Sequence, residues 1–405
     1  MTQNPDSRAI PLLAFAAFAG LALLLVWTKH YPSGFDELEH VAYVAHLQET
    51  HEWRPMFEAM LDLPVDSLTH WDTRPNYLGH PGPFYWYETM FLDRSLPLGA
   101  AILRVRLASA ALASAGIALA LWAGWRVFGR DRLALLVFAT LAALSPKLLA
   151  TTGQVTNDAL AILAGGLAYW GVCTEARHRN AGLLACGMAI MLALWAKPNA
   201  ALAVGAVLGF YTLLRLRERP SLALVLTVGA VVGSVPYWFI LAKYGALVPI
   251  TVEQFGGVRS VPGLAYIPAF LFTVAYTFCF DQTGTWPIPG LGAVLAAALV
   301  WALLAMVLAG GVMALRDRGR AGTSAARLIA IAAPLAFLAV LPIHLGFSLT
   351  KLAGSLPAAS FRYYLPIWPF MAHAIAYAIT GGSAALRWTI VALAAAALAV
   401  GWVSP

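Results

Sequence analysis

Apolar and polar positions along this chain do not alternate; they come in blocks. Runs rich in Ala, Leu and Val lie near 10–28, 99–124, 133–150, 158–174, 181–196, 199–214, 221–242, 288–314, 328–350, 363–380 and 388–403. Many approach or exceed the roughly 20 apolar residues that carry a helix across a bilayer. Backbone in hydrocarbon must satisfy its own hydrogen bonds, so only helices or closed barrels can span. The lack of alternation selects helices. The pattern predicts an all-α polytopic membrane protein with about eleven transmembrane helices, residues 1–405 forming one transmembrane domain. Two stretches break the rhythm. Residues 262–280 are apolar but interrupted by Pro262, Gly263 and Pro268, which predicts a re-entrant or interfacial segment within an outer loop at 243–287. Residues 30–98 form a hydrophilic stretch far longer than an ordinary connection. Within it, 36–52 reads as an amphipathic helix, with Leu38, Val41, Ala42, Ala45 and Leu47 on the apolar side and Glu39, Tyr43, His46 and Glu49 on the polar side. Residues 54–83, rich in Pro, Asp, Asn and Gly, read as loop with short helices.

Composition agrees with this pattern: 60% of residues are hydrophobic and 11% charged, against roughly a quarter charged in soluble domains. The net charge of +7 would suit a nucleic-acid binder, but its distribution suits a membrane. With the N-terminus inside, Arg8, Arg126, Arg130, Arg132, Arg177, Arg179, Arg215, Arg217, Arg219, Arg316, Arg318, Arg320, Arg327 and Arg387 all fall on the inner side. No nucleic-acid partner is needed to explain them. Loop 30–98 is then outside and carries more than half of the acids. No small-x-small cleavage site follows the run at 10–27, which reads as an uncleaved first helix. Cys173, Cys186 and Cys279 lack metal or redox spacing and read as packing residues. The absence of an internal repeat, and of a charge in the middle of any predicted helix, argues against a transporter.

The densest polar chemistry is Phe35-Asp36-Glu37-Leu38-Glu39-His40, opening the first outer loop. Taken alone, Asp36 with Glu39 three residues on fits a helix capping box. Asp36 and His40, with His46 or His80, could also hold a divalent metal, but no specific spacing supports one. A second cluster is Gly79-His80-Pro81-Gly82-Pro83-Phe84-Tyr85-Trp86-Tyr87, whose simplest explanation is an aromatic belt. Asn157-Asp158 stands at the outer start of a helix, where Asp158 could be a cap or a second acid. Lys197, Arg259, Lys351 and Arg362-Tyr363-Tyr364, with Lys147 as a further candidate, place cations beside apolar helices on the same outer side. Any one could snorkel; together they suggest an anionic headgroup such as a lipid phosphate. His344 and His373 read as satisfied interior histidines.

In their order along the chain these pieces resemble the GT-C superfamily of integral-membrane glycosyltransferases. The matching parts are Asp36-Glu37-x-x-His40, then His80-Pro81-x-Pro83 with aromatics. After these come Asn157-Asp158, Lys197-Pro198, and Arg362-Tyr363-x-x-Pro366. Protein O-mannosyltransferases and lipid A aminoarabinose transferases are of this kind. The chain departs from the pattern in lacking a sizeable soluble C-terminal domain and in reading Pro81-Gly82-Pro83 where a Pro-Pro is usual.

The resemblance implies a polyprenyl-phosphate-sugar donor used on the outer face of a bacterial inner membrane, and an acceptor glycan, lipid or protein. It implies inverting transfer with Asp36 as general base and Glu37 or Asp158 in support. Lys197, Arg362, Tyr363, Arg259 and Lys351 would hold the donor phosphate. His40, His80, Tyr85, Trp86 and Asn157 would contact substrate, and Trp286 could stack on a sugar. The alternatives are a flippase or transporter for lipid-linked saccharides, an O-antigen-type ligase or polymerase, or a structural subunit.

Overall fold

The computed structural model describes residues 5–33, 36–51, 61–62, 65–68, 72–73, 80–175, 177–247, 263–279, 291–317, 324–350 and 359–403. The described residues of each predicted apolar run are helical, apart from one break at Ser145. Helix α1 (Ala9–Thr28) leads to α2 (Glu37–Thr50) and α3 (Pro83–Thr89), then to the 31-residue α4 (Leu98–Phe128). The run at 133–150 is split. Helix α5 (Arg132–Leu144) stops before Pro146, and α6 (Pro146–Thr152) restarts with Ser145 Oγ accepting from Leu148 N at 3.3 Å. Proline has no N–H to give to an interior helix bond, so it opens α6 rather than continuing α5. The same device opens α9 (Pro198–Arg215) after α8 (Arg179–Ala196), leaving Lys197 extended between them. Helices α7 (Asp158–Glu175), α10 (Pro220–Tyr244), α11 (Tyr266–Cys279), α12 (Leu291–Arg316) and α13 (Ser324–Thr350) follow. A 3₁₀ turn (Phe361–Ile367) then leads into α14 (Trp368–Gly381) and α15 (Ala384–Val403).

Among the described residues, seven helical segments are long and apolar enough to cross a membrane: Ala9–Thr28, Leu98–Phe128, Arg132–Thr152, Arg179–Ala196, Pro220–Tyr244, Gly292–Arg316 and Ala325–Thr350. Together with the shorter apolar helices they make an integral membrane bundle.

Two details differ from the sequence expectation. Helix α2 is not amphipathic at a surface: Tyr43 and His46, expected on a polar face, are as buried as Val41 and Ala45, because α3 and the bundle enclose it. In the stretch 54–83 the described residues form no helix before Pro83; Leu61–Asp62 pairs antiparallel with Asp72–Thr73 instead.

Helix α7 lies at the centre, where helices approach through glycine. Gly166 faces the backbone of Gly116 in α4, Gly116 faces that of Ile162, and Gly165 faces that of Pro366. Small residues let helices pack by dispersion where lipid supplies no hydrophobic drive. Gly166→Leu is therefore expected to overpack the α4–α7 crossing by about 1–3 kcal/mol and to lower the thermal midpoint in detergent. Gly209→Leu, at a position with nothing within 4 Å, should leave that midpoint unchanged.

Contacts sort the helix ends into two poles. At one, Trp125 Nε1 donates to Ser7 Oγ at 3.1 Å and Arg8 stacks on Trp125. Tyr377 OH donates to Asp317 Oδ2 at 3.1 Å, and Glu175 pairs with Arg215 at 2.5 Å and Arg219 at 3.3 Å. The opposite pole holds α2, α3, Lys197 and Arg362. Both ends of α11 bond toward this second pole. Tyr266 OH meets Ser348 Oγ at 2.5 Å, and Thr277 Oγ1 accepts from Phe361 N at 2.8 Å. The three cysteines are free, Cys186 and Cys279 buried.

Candidate active site

The second pole gathers four charges that lie far apart in sequence. Asp36 stands at the N-terminus of α2 without making a side-chain cap. It turns outward from its helix, and Arg362 Nη1 donates to its Oδ2 at 2.5 Å. The capping-box explanation of Asp36 is thus set aside by geometry. Asp36 is 5% exposed, and its other oxygen, Oδ1, is buried with no hydrogen-bond partner among the described residues. Opposite it, Lys197 Nζ pairs closely with Asp158 Oδ1 at the start of α7. Pro198 and Ser360 set the two cations: the first ends the α8 turn at Lys197, and the second caps the turn bearing Arg362, accepting from its N–H at 3.4 Å. Between them lies the Tyr363 ring, with Lys197 Nζ 5.1 Å and the Arg362 guanidinium carbon 5.3 Å from its centroid. Two cations at one aromatic ring, each held by a carboxylate, form a compact quartet of zero net charge.

A neutral polar wall adjoins the quartet. Asn157 Nδ2 donates to Ala196 O at 3.1 Å and lies 3.2 Å from His80 Nδ1 and 3.4 Å from Tyr85 OH. Tyr85 OH in turn reaches His40 Nδ1 at 2.8 Å. The Tyr43 ring packs tilted against Tyr85, centroids 4.0 Å apart, and its hydroxyl donates to His80 O at 3.1 Å. The Asn157 amide donor makes His80 Nδ1 an acceptor, leaving Nε2–H on that ring. Burial drives both histidines down, His40 to about 4 and His80 to about 3, so both are uncharged at neutral pH.

Glu37 is placed apart from this group. Its Oε1 accepts from Arg106 Nε at 2.7 Å and Val155 N at 2.9 Å. Its Oε2 accepts from Arg106 Nη2 and Ser33 N, both at 2.6 Å. All four lone-pair directions are used, so Glu37 acts as a structural pin and Asp36 is the carboxylate with an oxygen to offer. Arg106 also donates to the carbonyls of Lys29 at 2.7 Å and His30 at 3.0 Å. The Arg106–Glu37 pair therefore ties the end of α1, the start of α2 and the segment before α7.

Arg106 lies well inside the run 99–124 and is buried, which corrects the expectation that no predicted helix carries an interior charge. Its place in an apolar run was the available signal. Glu88 of α3 was also passed over. It is fully buried, with Oε1 accepting from Ser109 Oγ at 2.8 Å, and burial pushes it up to about 8. Of the other expected residues, Trp86 is half-buried on α3 and packs against the core. Lys147 is buried in α6. His344 bonds to Tyr364 OH at 3.0 Å and lies edge-on to Tyr363. His373 is satisfied between Tyr169 OH and Ala326 O. Arg259, Lys351 and Trp286 lie outside the described residues. Among those described, no group of three or more His, Cys, Asp or Glu side chains is arranged to hold a metal ion.

These shifts give a pH prediction with a sign. Between about 4 and 6.5 the unfolded histidines bind protons that folded His40 and His80 refuse, so stability rises with pH through that window. Glu88 holds a proton in the folded protein up to about 8 but loses it near 4.5 when unfolded, so its contribution falls as pH rises between those values. Each group is worth up to about 1.4 kcal/mol per pH unit. Two histidines outweigh one glutamate on the acid side, so the thermal midpoint should peak near pH 6.5. Glu88→Gln should flatten the alkaline limb, and His40→Asn with His80→Asn the acid limb.

No protein-family model matches the sequence, and no curated protein matches it. Solved structures do match the fold. ArnT from Cupriavidus metallidurans in the apo state is 18% identical with a TM-score of 0.56, over 94% of this chain and 62% of that one. The same protein bound to undecaprenyl phosphate is 17% identical, with a TM-score of 0.57 and the same coverage. The oligosaccharyltransferase of Archaeoglobus fulgidus, tethered to an acceptor peptide containing the NVT sequon, is 14% identical with a TM-score of 0.51, over 97% of this chain and 54% of that one. The chain thus spans less than two thirds of each of these proteins. ArnT, a lipid A aminoarabinose transferase, and the oligosaccharyltransferase are both GT-C membrane glycosyltransferases, and the fold of this chain is the GT-C fold.

Proposed function

We propose that this protein is a membrane glycosyltransferase that moves a sugar from a polyprenyl-phosphate donor to an acceptor at the pole bearing Asp36. The observation that carries this reading is the pairing of two cations at the Tyr363 ring with a buried carboxylate whose second oxygen has no hydrogen-bond partner among the described residues. The fold shared with ArnT, one structure of which holds undecaprenyl phosphate, supports a lipid-phosphate donor. In the proposed step, Asp36 Oδ1 takes the proton of the acceptor hydroxyl or amine. The acceptor attacks the anomeric carbon from the face opposite the phosphate, and the sugar–oxygen bond to phosphate breaks. Lys197 and Arg362 stabilise the charge left on the departing polyprenyl phosphate. Transfer with one base and no covalent intermediate inverts the anomeric centre. Asn157, His40, His80 and Tyr85 present neutral hydrogen-bonding groups suited to an uncharged sugar. The basic pole faces the cytoplasm and the site faces outward, in a bacterial inner membrane.

The test is transfer of radiolabelled sugar from polyprenyl-phosphate donors to membrane acceptors in reconstituted vesicles. Labelled product supports the reading. Movement of the intact lipid-linked sugar between leaflets without transfer would replace it with a flippase.

A further inference from the structure

We infer that the donor phosphate is admitted by an exchange of anions: it takes Arg362 away from Asp36, and the acceptor-binding carboxylate is released only when the donor lipid is in place. This inference rests on the lipid-phosphate reading of the site and adds a binding order to it. Asp36 is buried, and its Oδ2 is held by Arg362 Nη1 at 2.5 Å. Arg362 is the less buried of the two, with 17% of its side chain exposed against 6% for Asp36, so an entering anion meets the guanidinium first. Arg362 and Lys197 both lie against the Tyr363 ring, and Lys197 is paired in the same manner with Asp158.

With each cation neutralised by its own carboxylate, a phosphate gains nothing from either until a pair opens. A guanidinium offers a planar fork that fits the two free oxygens of a phosphate diester. Such a ligand competes with the Asp36 carboxylate for that fork. Once Arg362 turns to phosphate, both oxygens of Asp36 are left for the acceptor, so the donor lipid binds first and the acceptor second.

The consequence is counter-intuitive. Removing the proposed base should tighten donor-lipid binding, because Asp36 competes with the phosphate for Arg362. Undecaprenyl phosphate binding is measured on the full-length protein in nanodiscs for wild type, Asp36→Asn, Arg362→Gln and the double variant, with Asp36→Ala as a second form. Asp36→Asn and Asp36→Ala should each lower the dissociation constant roughly tenfold, the scale of one charge-assisted hydrogen bond. In the Arg362→Gln background the same change at Asp36 should do little, since there is no guanidinium to release. An equal gain in both backgrounds would mean simple relief of charge repulsion and would overturn the exchange. Unchanged or weaker binding in Asp36→Asn and Asp36→Ala would also overturn it. If no form binds undecaprenyl phosphate saturably, the lipid-phosphate reading itself fails, and the exchange with it.

Discussion

Asp36→Asn should abolish sugar transfer while the protein remains folded and inserted. The substitution keeps the shape of the side chain and its position at the start of α2, which does not depend on a side-chain cap. It removes the one open oxygen able to accept the acceptor's proton. General-base catalysis contributes about 10²–10⁴-fold, so transfer should fall by at least two orders of magnitude. Asp158→Asn, which leaves Asp36 intact and frees Lys197 from its carboxylate, should cost less in turnover than Asp36→Asn. The assay is initial-rate transfer in vesicles, normalised to folded protein measured by thermal midpoint. Full activity in Asp36→Asn would remove Asp36 from the chemistry.

Arg106→Ala should be the most damaging change for folding. It strands Glu37, buried at the other end of a 2.6 Å pair, and frees the carbonyls of Lys29 and His30 at the end of α1. Breaking a buried ion pair from one side costs about 3–5 kcal/mol, because the remaining charge stays buried and uncompensated. The expected result is a large drop in thermal midpoint and in yield from the membrane. Arg106→Ala with Glu37→Gln should recover part of that loss, since the double variant leaves no buried charge. Transfer should fall in Arg106→Ala even where protein is recovered, because Asp36 is the next residue along from Glu37. A midpoint close to wild type would mean that Arg106 does not organise this junction.

Much of the architecture could be read from hydropathy. Block-wise apolar runs predict helices because hydrocarbon leaves the backbone no other partner, and the described residues of those runs are helical but for the break at Ser145. Pro198 shows in the gap between the runs 181–196 and 199–214, whereas Pro146 lies hidden inside the run 133–150. The site was legible as a set of residues on one face, but not as a division of labour. Asp36 and Glu37 are neighbours of like chemistry. What separates them is the burial of Arg106 against Glu37 and the approach of Arg362 to Asp36 across more than three hundred residues of chain, contacts that no local pattern encodes. The capping motif at Asp36 misled for the same reason: a local hydrogen bond gave way to a long-range ion pair. His40 and His80 carried no sign of their neutrality, since that follows from burial by α2, α3 and the Asn157 turn. Glu88, set among aromatics, shows as a buried acid only once Ser109 of α4 is known to lie against it.

The most direct measurement of the central claim is an experimental structure of this protein with undecaprenyl phosphate bound. The account predicts the phosphate over the Tyr363 ring, within hydrogen-bonding reach of both Lys197 and Arg362, with Arg362 drawn off Asp36. A phosphate seated elsewhere, with the Asp36–Arg362 and Asp158–Lys197 pairs both intact, would contradict it.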